Sequence, residues 1–406
     1  MQRLILIAVV VTVLNTVPAF SQTTPGSRQL AAWLRSFPAA DTNKDGTLSV
    51  EEANAFRRQL KSARGAKSAS RGAPRTFPVD AGWDESEFPA HAVSLRSPAE
   101  IKAVYEGLVR KNQPAVVSYE TPTDGGLRIV GTGHSFMAPG YTTMPHICRA
   151  AGFEQPLYTH TGGGMTGSTR YKWEQENGIF EFDGKPVPKL LASIANAEWD
   201  AMMWGPYFND RPQDYSCWID FCLRFHPEMK FYLSDAWPQL HQLEQNPQTE
   251  GFFTDEVLDR MGAEKQEAYV KLVTDLRIDY PGKVFIMPTS DAMTLAAKYF
   301  IRGQLPEIAG LHKVIGGHKR SLWVDQLGHL GPGLNRLEGY VFYATLYGKS
   351  PERLGQVAFG GDTEFPGPAL DQVFRRIAWQ AVTGHPCSGV TDRDDDGLND
   401  LSPATP

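Results

Sequence analysis

Short apolar runs alternate with longer amphipathic stretches along most of this chain, and that alternation sets the expected fold. Leu127 to Val130, Asp200 to Trp204, Lys230 to Leu233 and Lys283 to Met287 are brief runs with the character of buried strands. Val187 to Asn196, Trp218 to Phe225, Lys265 to Leu276, Asp291 to Ile301 and Leu337 to Tyr347 carry apolar residues at helical spacing. Pro98 to Val109 adds an earlier helix, with its proline near the start, where the missing N–H costs nothing. Strands alternating with helices predict an α/β domain: a three-layer α/β/α sandwich around a mostly parallel sheet. Ligands of such sheets lie at the carboxyl ends of the strands. The residues after each strand are therefore where chemistry is expected.

The N-terminal residues break this pattern. Arg3 precedes the apolar run Leu4 to Val13, which is too short to span a bilayer, and Ala19-Phe20-Ser21 offers small residues for cleavage. Residues 1–21 thus read as a signal peptide and predict a secreted or periplasmic protein. No later stretch reaches ~18 uninterrupted apolar residues, so no span is expected in the mature chain. Residues 22–60 form a small helical module in which Leu30 to Phe37 and Glu51 to Leu60 flank an acidic loop. Residues 61–87 read as a linker, because Lys61 to Arg75 is rich in Ser, Ala, Gly and basic residues and has no acid. The main domain is placed at 88–386 and an acidic tail at 387–406.

Charge narrows the partners. Forty Lys and Arg against forty-six Asp and Glu leave a net charge of -6, which gives nucleic acid no footing. The four cysteines do not suggest a disulfide scaffold. Cys217 and Cys222 lie five apart on a predicted helix and point to different sides, so Cys222 reads as a small core residue. Cys148 and Cys387 could pair only through the fold.

The module's loop has the spacing of an EF-hand. Asp41, Asn43 and Asp45 stand at positions one, three and five, Gly46 at six, Thr47 at seven, Ser49 at nine and Glu52 at twelve. Hard oxygen donors in this order suit calcium, with Glu52 offering two oxygens and Thr47 its carbonyl. A second run, Asp392, Asp394, Asp396, Gly397 and Asp400, fills positions one, three, five, six and nine of the same loop, but Pro403 stands at twelve and no exiting helix follows. It resembles the short calcium repeats of thrombospondin type 3 and dockerin modules.

Candidate catalytic residues follow the strands. Leu127–Val130 runs into Gly131-Thr132-Gly133-His134-Ser135, and a glycine-dense turn covers Gly162 to Gly167. Asp200–Trp204 ends at Gly205, with Asn209 soon after. Asp325 and His329 precede the long apolar helix Leu337 to Tyr347. A serine hydroxyl is a weak nucleophile until a base accepts its proton, and an acid behind that base fixes its tautomer. The glycine run at 162–169 has a serine where a P-loop needs lysine, and no Gly-x-Ser-x-Gly elbow surrounds Ser135. No His-Glu-x-x-His or close Cys/His cluster suggests zinc. Trp204, Tyr207, Trp237 and Trp323 lie near strand ends, where aromatic rings can stack on a sugar or fill the core.

In the order of these residues the chain resembles the SGNH (GDSL-like) hydrolases over roughly 127–354. The resemblance implies a serine esterase with Ser135 as nucleophile, His329 as base, Asp325 as acid, and an oxyanion hole from Gly163 or Gly164 and Asn209. It departs from the family pattern in three places. His134 stands where Asp or Asn usually precedes the serine, three residues separate Asp325 from His329 where two are usual, and Asn209 lies four residues beyond Gly205. Gly205 is the alternative oxyanion donor and Asp291 the alternative acid. The expected substrate is a small ester or an acylated carbohydrate. The reading from another class is a non-catalytic, calcium-dependent binding protein.

Overall fold

Five short strands, most of them strongly apolar, assemble side by side into one parallel sheet. The computed structural model describes residues 30, 34, 40–53, 55–56, 125–161, 180–182, 185–187, 190, 194, 197–205, 210–359 and 365–400. The expected signal peptide, the linker and the helix Pro98–Val109 lie outside these. Strand β1 (Ile129–Gly133) leads into helix α1 (Ala138–Ala150), strand β2 (Leu157–Thr161), and the antiparallel hairpin of β3 (Phe180–Phe182) and β4 (Lys185–Val187). Strand β5 (Ala201–Trp204), α2 (Pro212–Phe225), β6 (Lys230–Ser234), α3 (Asp255–Asp279), β7 (Val284–Met287) and α4 (Thr289–Ile301) follow. Beyond them come β8 (Gly310–His312), the single turn α5 (Lys313–Gly316), β9 (Ser321–Trp323), α6 (Leu334–Tyr347) and α7 (Pro368–Gly384).

The sheet order is β2-β1-β5-β6-β7, and every pairing in it is parallel. β1 and β5 are buried along their whole length, as strands covered on both faces must be. With its flanking helices this is the three-layer α/β/α sandwich the periodicity predicts. Among the described residues, no helix is long and apolar enough to cross a membrane. Arg128 fixes the start of β1 against β5: its backbone N–H and its Nε both donate to Asp200, at 2.8 and 2.9 Å.

Several elements exceed or depart from the sequence expectation. β1 starts two residues later than the apolar run and extends through the glycines to Gly133. Val187 ends β4 and so does not begin a helix, although Leu190 and Ile194 further on are helical and buried. α1 contains Pro139, Gly140 and Pro145, a composition that argues against a helix, yet Tyr141, Met144, Ile147 and Cys148 are buried together on it. Tertiary packing overrides propensity there. All four cysteines are buried and free, so Cys148 and Cys387 do not pair.

Among the described helices, α1 and α6 share the most extensive contact. A Cβ at Gly140 would meet the Phe342 ring at 2.3 Å, and one at Gly339 would meet Thr143 Oγ1 at 2.2 Å and Ile147 Cδ1 at 2.9 Å. These glycines let the two backbones approach, and Thr143 Oγ1 donates across the gap to the Asn335 carbonyl at 2.7 Å. The tail closes the other end. Ile286 N–H donates to the Cys387 carbonyl at 3.0 Å along the edge of β7, and Leu398 bridges to Lys349 after α6. Near the N-terminus, Ala40, Leu48 and Ala53 form their own apolar cluster with Leu30, Leu34 and Phe56.

Gly339→Ala tests the helix contact. The added methyl should overpack the interface and cost about 1–3 kcal/mol, read as a lower melting temperature with secondary structure retained. Gly384→Ala, where an added Cβ meets nothing within 4 Å, is the control and should melt with the parent. Equal melting of all three proteins would mean that α1 and α6 do not pack this closely.

Candidate active site

The turn after β1 presents Ser135. Gly133 has φ +152, and its Cα packs back to back with Gly205 at the end of β5, where a side chain on either residue would strike Met137 at 2.8 Å. The two strand ends thus converge closely. His134 Nδ1 accepts the Phe136 N–H at 3.2 Å, a local turn bond that an Asp or Asn at this position would also supply. His134 therefore serves as the turn acceptor. The His134 carbonyl accepts the N–H groups of Met137 and Ala138, and α1 begins. Ser135 is left exposed on this turn.

A second loop reaches the same point from β9. His329 Nε2 lies 2.6 Å from Ser135 Oγ, across 194 positions of sequence. Its Nδ1 lies 2.6 Å from Asp325 Oδ2. The other carboxylate oxygen of Asp325 accepts the N–H groups of Leu327, at 3.0 Å, and His329, at 3.2 Å. The extra residue between acid and base is absorbed by Gly328, which has φ +83 and donates its N–H to the Asp325 carbonyl at 3.0 Å. A Cβ at Gly328 would strike the Pro238 carbonyl oxygen at 2.5 Å, so glycine is required twice over.

Burial works against the Asp325 carboxylate. The hydrogen bond and charge of His329, with the two backbone N–H groups, outweigh that penalty and hold its pKa below the ordinary value. The acid facing His329 is thus kept ionised and suited to orient an imidazole. Phe136 sets its ring edge-on to His329 at 5.0 Å and packs on Trp237 at 4.4 Å, which walls the base with apolar surface. Chemically, the row Ser135, His329, Asp325 can move a proton off a hydroxyl as that oxygen attacks.

The oxyanion donors are partly in view. Ser135 N–H makes no hydrogen bond to any described residue, so it is available to a developing oxyanion. Gly205 does not meet the need expected of it, because its N–H donates to the Thr132 carbonyl at 3.1 Å as part of the sheet. Gly163, Gly164 and Asn209 lie outside the described residues.

Other candidates fall elsewhere. Asp291 accepts a hydrogen bond from Gln266 at 3.0 Å and faces Asp235, while Asp325 is the acid against His329. Asp235, fully buried after β6, accepts from Thr289 Oγ1 and Ser290 N–H, and burial followed by the charge of Asp291 pushes its pKa well up. Trp204, Trp237 and Trp323 are core residues, not sugar platforms: all three are buried, with Trp204 stacked on Phe231. Tyr207 lies outside the described residues. His385 is structural, with its Nδ1 accepting the Cys387 N–H at 3.1 Å. His312, which belongs to no sequence motif, is buried beside Trp323, near enough to Asp325 to feel its charge.

The two acidic loops share one backbone design. Lys44 and Gly46 have φ 61 and 80, and Asp395 and Gly397, at the same loop positions, have φ 58 and 77. Each first aspartate accepts two loop N–H groups: Asp41 from Lys44 and Gly46, and Asp392 from Asp396 and Gly397. Asp45 and Asp396 each accept the N–H two residues on. Glu52 folds over the first loop. The backbone N–H and hydroxyl of Ser49, then the Thr42 hydroxyl, hold its pKa down to about 2. In the second loop, carboxylate oxygens of Asp392, Asp394 and Asp400 lie within 4.8 Å of one another. Such a donor set, hard and oxygen-only, fits calcium chemistry.

No family model matches this chain, and no curated protein matches it. Among solved structures it is similar to one provisionally described as a platelet activating factor from Streptococcus pneumonia. The identity is 15% and the TM-score 0.32, over 62% of this chain and 94% of that one.

The acids beside the strand ends give a pH prediction. Burial pushes Asp291 up to about 6 from 3.8, against the opposing bond from Gln266. It binds its proton more tightly folded than unfolded, so its contribution to stability is full below the ordinary value and is lost as pH rises through 6. The linkage amounts to at most about 3 kcal/mol. Asp291→Asn keeps an acceptor for Gln266 but cannot ionise. Its melting temperature should therefore fall less than the parent's between pH 4 and about 7. Parallel melting curves across that range would show that Asp291 titrates like an exposed acid.

Proposed function

We propose that this chain is an exported serine ester hydrolase of the SGNH type, stabilised by calcium. The observation that supports it best is the unbroken hydrogen-bonded row from Ser135 Oγ through His329 to Asp325, with both contacts at 2.6 Å. In the proposed reaction, Oγ bonds to the ester carbonyl carbon as His329 Nε2 takes its proton. The carbonyl electron pair moves onto oxygen, where the Ser135 N–H meets it. Collapse expels the alkoxide, which receives the proton from Nε2, and leaves an acyl–serine. Water then attacks that ester, gives its proton to His329, and Ser135 leaves with the proton returned. Ester and water become acid and alcohol. Trp204, Trp237 and Trp323 are buried and offer no platform for a sugar ring, so the substrate class proposed is a small ester.

The test is covalent. A fluorophosphonate probe should label Ser135, located by mass spectrometry. Ser135→Ala and His329→Ala should each reduce ester turnover by about 10³-fold or more, because nucleophile and base act as one unit. Asp325→Asn should lose less, with the deficit mainly in kcat. A folded parent that takes no label, and whose ester turnover survives Ser135→Ala, would favour the calcium-dependent binding protein instead.

Calcium is proposed for both acidic loops, where it would neutralise crowded carboxylates. Asp41, Asn43, Asp45, Thr47 and Glu52 would hold it in the first, and Asp392, Asp394, Asp396 and Asp400 in the second. Asp394 makes no hydrogen bond among the described residues, so its removal leaves the internal bonds of that loop intact. Calorimetry should find weaker calcium binding in Glu52→Gln and the loss of a second, separate site in Asp394→Ala, which removes the side-chain oxygens at position three. Isotherms identical to the parent's in both variants would reject calcium at these loops.

A further inference from the structure

Glu338 is buried in the core, on the first turns of α6, and touches nothing that reacts. Taking a carboxyl out of water costs several kcal/mol unless its oxygens are well received. Here both are. Oε2 accepts the Gly140 N–H at 2.6 Å, and Oε1 accepts the Trp237 Nε1–H at 3.1 Å. These two donors belong to the two structures that meet at the catalytic row.

The first donor lies at the start of α1, the helix that continues the nucleophile turn. Its N-cap, Met137, offers no side-chain cap, and its first turn holds no acid. The His134 carbonyl receives the N–H groups of Met137 and Ala138, and Pro139 has none to satisfy. Gly140 N–H is the next orphan donor, and a carboxyl from a distant helix caps it. The second donor belongs to the indole that packs on Phe136 at 4.4 Å, whose ring in turn packs on His329 at 5.0 Å. Phe136 is itself the residue after Ser135. One carboxyl therefore holds the nucleophile's helix on one oxygen and the wall behind the base on the other.

We propose that Glu338 is a positioning residue: by capping α1 at Gly140 and fixing Trp237, it keeps Ser135 Oγ in register with His329 Nε2. The catalytic part of this inference rests on the serine-hydrolase reading, while the capping part does not. Gly339, the next residue, explains how Glu338 reaches Gly140, since its missing side chain lets α6 close on Thr143. A core carboxyl kept merely for packing would need neither donor.

Glu338→Gln preserves shape but supplies one acceptor oxygen where two are used, so one of the two N–H groups must face an amide NH2. Three readouts follow, taken well below both melting temperatures: hydrogen exchange of the 135–142 segment, kcat and KM on a soluble activated ester, and the rate of fluorophosphonate acylation. The variant should exchange faster in that segment and not elsewhere. Its kcat and acylation rate should fall about 10- to 100-fold with KM within about threefold, the size expected for a displaced reacting group. Trp237→Phe, which removes the indole donor but keeps an aromatic ring beside Phe136, should show a loss of the same kind, and combining the two should cost less than the product of the single losses. It also carries the test if Glu338→Gln does not fold. A folded Glu338→Gln with kcat within twofold of an active parent, or kcat and KM changing together, would overturn the positioning role and leave the hydrolase reading standing. A parent inert to both probe and esters would overturn the hydrolase reading and the catalytic role with it, and the exchange data would then decide whether Glu338 caps α1.

Discussion

The close approach of α1 and α6 is the contact on which the rest of the molecule depends. α1 continues the turn that carries Ser135, and α6 follows the loop that carries His329. Residues so far apart in sequence reach hydrogen-bond distance because Gly140 makes room for Phe342 and Gly339 makes room for Thr143. A Cβ at either glycine would lie inside van der Waals contact, 2.3 Å from Phe342 or 2.2 Å from Thr143, so the interface would have to give. The geometry of the catalytic row is thus set by packing several residues behind it.

Polar groups buried within that packing have a consistent logic. At the strand ends, Asp235 and Asp291 are desolvated beside each other, and both resist ionisation. Asp325 is also partly desolvated, but three hydrogen bonds and the charge of His329 hold it in the charged form. The contrast separates acids that help the fold when neutral from the one suited to orient an imidazole. Burial opposes ionisation in each case, more deeply at Asp235 than at Asp325, and the partners together with that depth decide the outcome.

The two acidic loops lie far apart in sequence yet repeat one solution. A left-handed residue at position four and a glycine at position six turn the chain so that the first aspartate collects the N–H groups inside. The second loop is tied to the main domain, since Trp379 Nε1 donates to Asp392 at 2.8 Å and Ser350 N–H donates to the Gly397 carbonyl at 2.9 Å. Whatever fills that loop would steady the segment that follows α6.

The sequence by itself determined the fold class, because short unbroken apolar runs and period-3.6 apolar patterns are local and survive without knowledge of contacts. It also singled out Ser135, Asp325 and His329, since a serine in a glycine-rich turn and an acid and histidine on a late loop are readable as residue types in order. It missed α1, whose prolines speak against a helix and whose stability comes from partners elsewhere. It missed α7 despite its apolar stripe, the strand β2, whose LYTHT sequence is largely polar, and β3, β4, β8 and β9, whose three residues each are too few to show a pattern. It left the extra residue before His329 unexplained until Gly328 was seen to absorb it. The fate of the tryptophans and the task of Glu338 were decided only by tertiary structure. An aromatic ring or a carboxyl looks the same in sequence whether it faces solvent or the core, and only the neighbours brought to it by folding determine what it does.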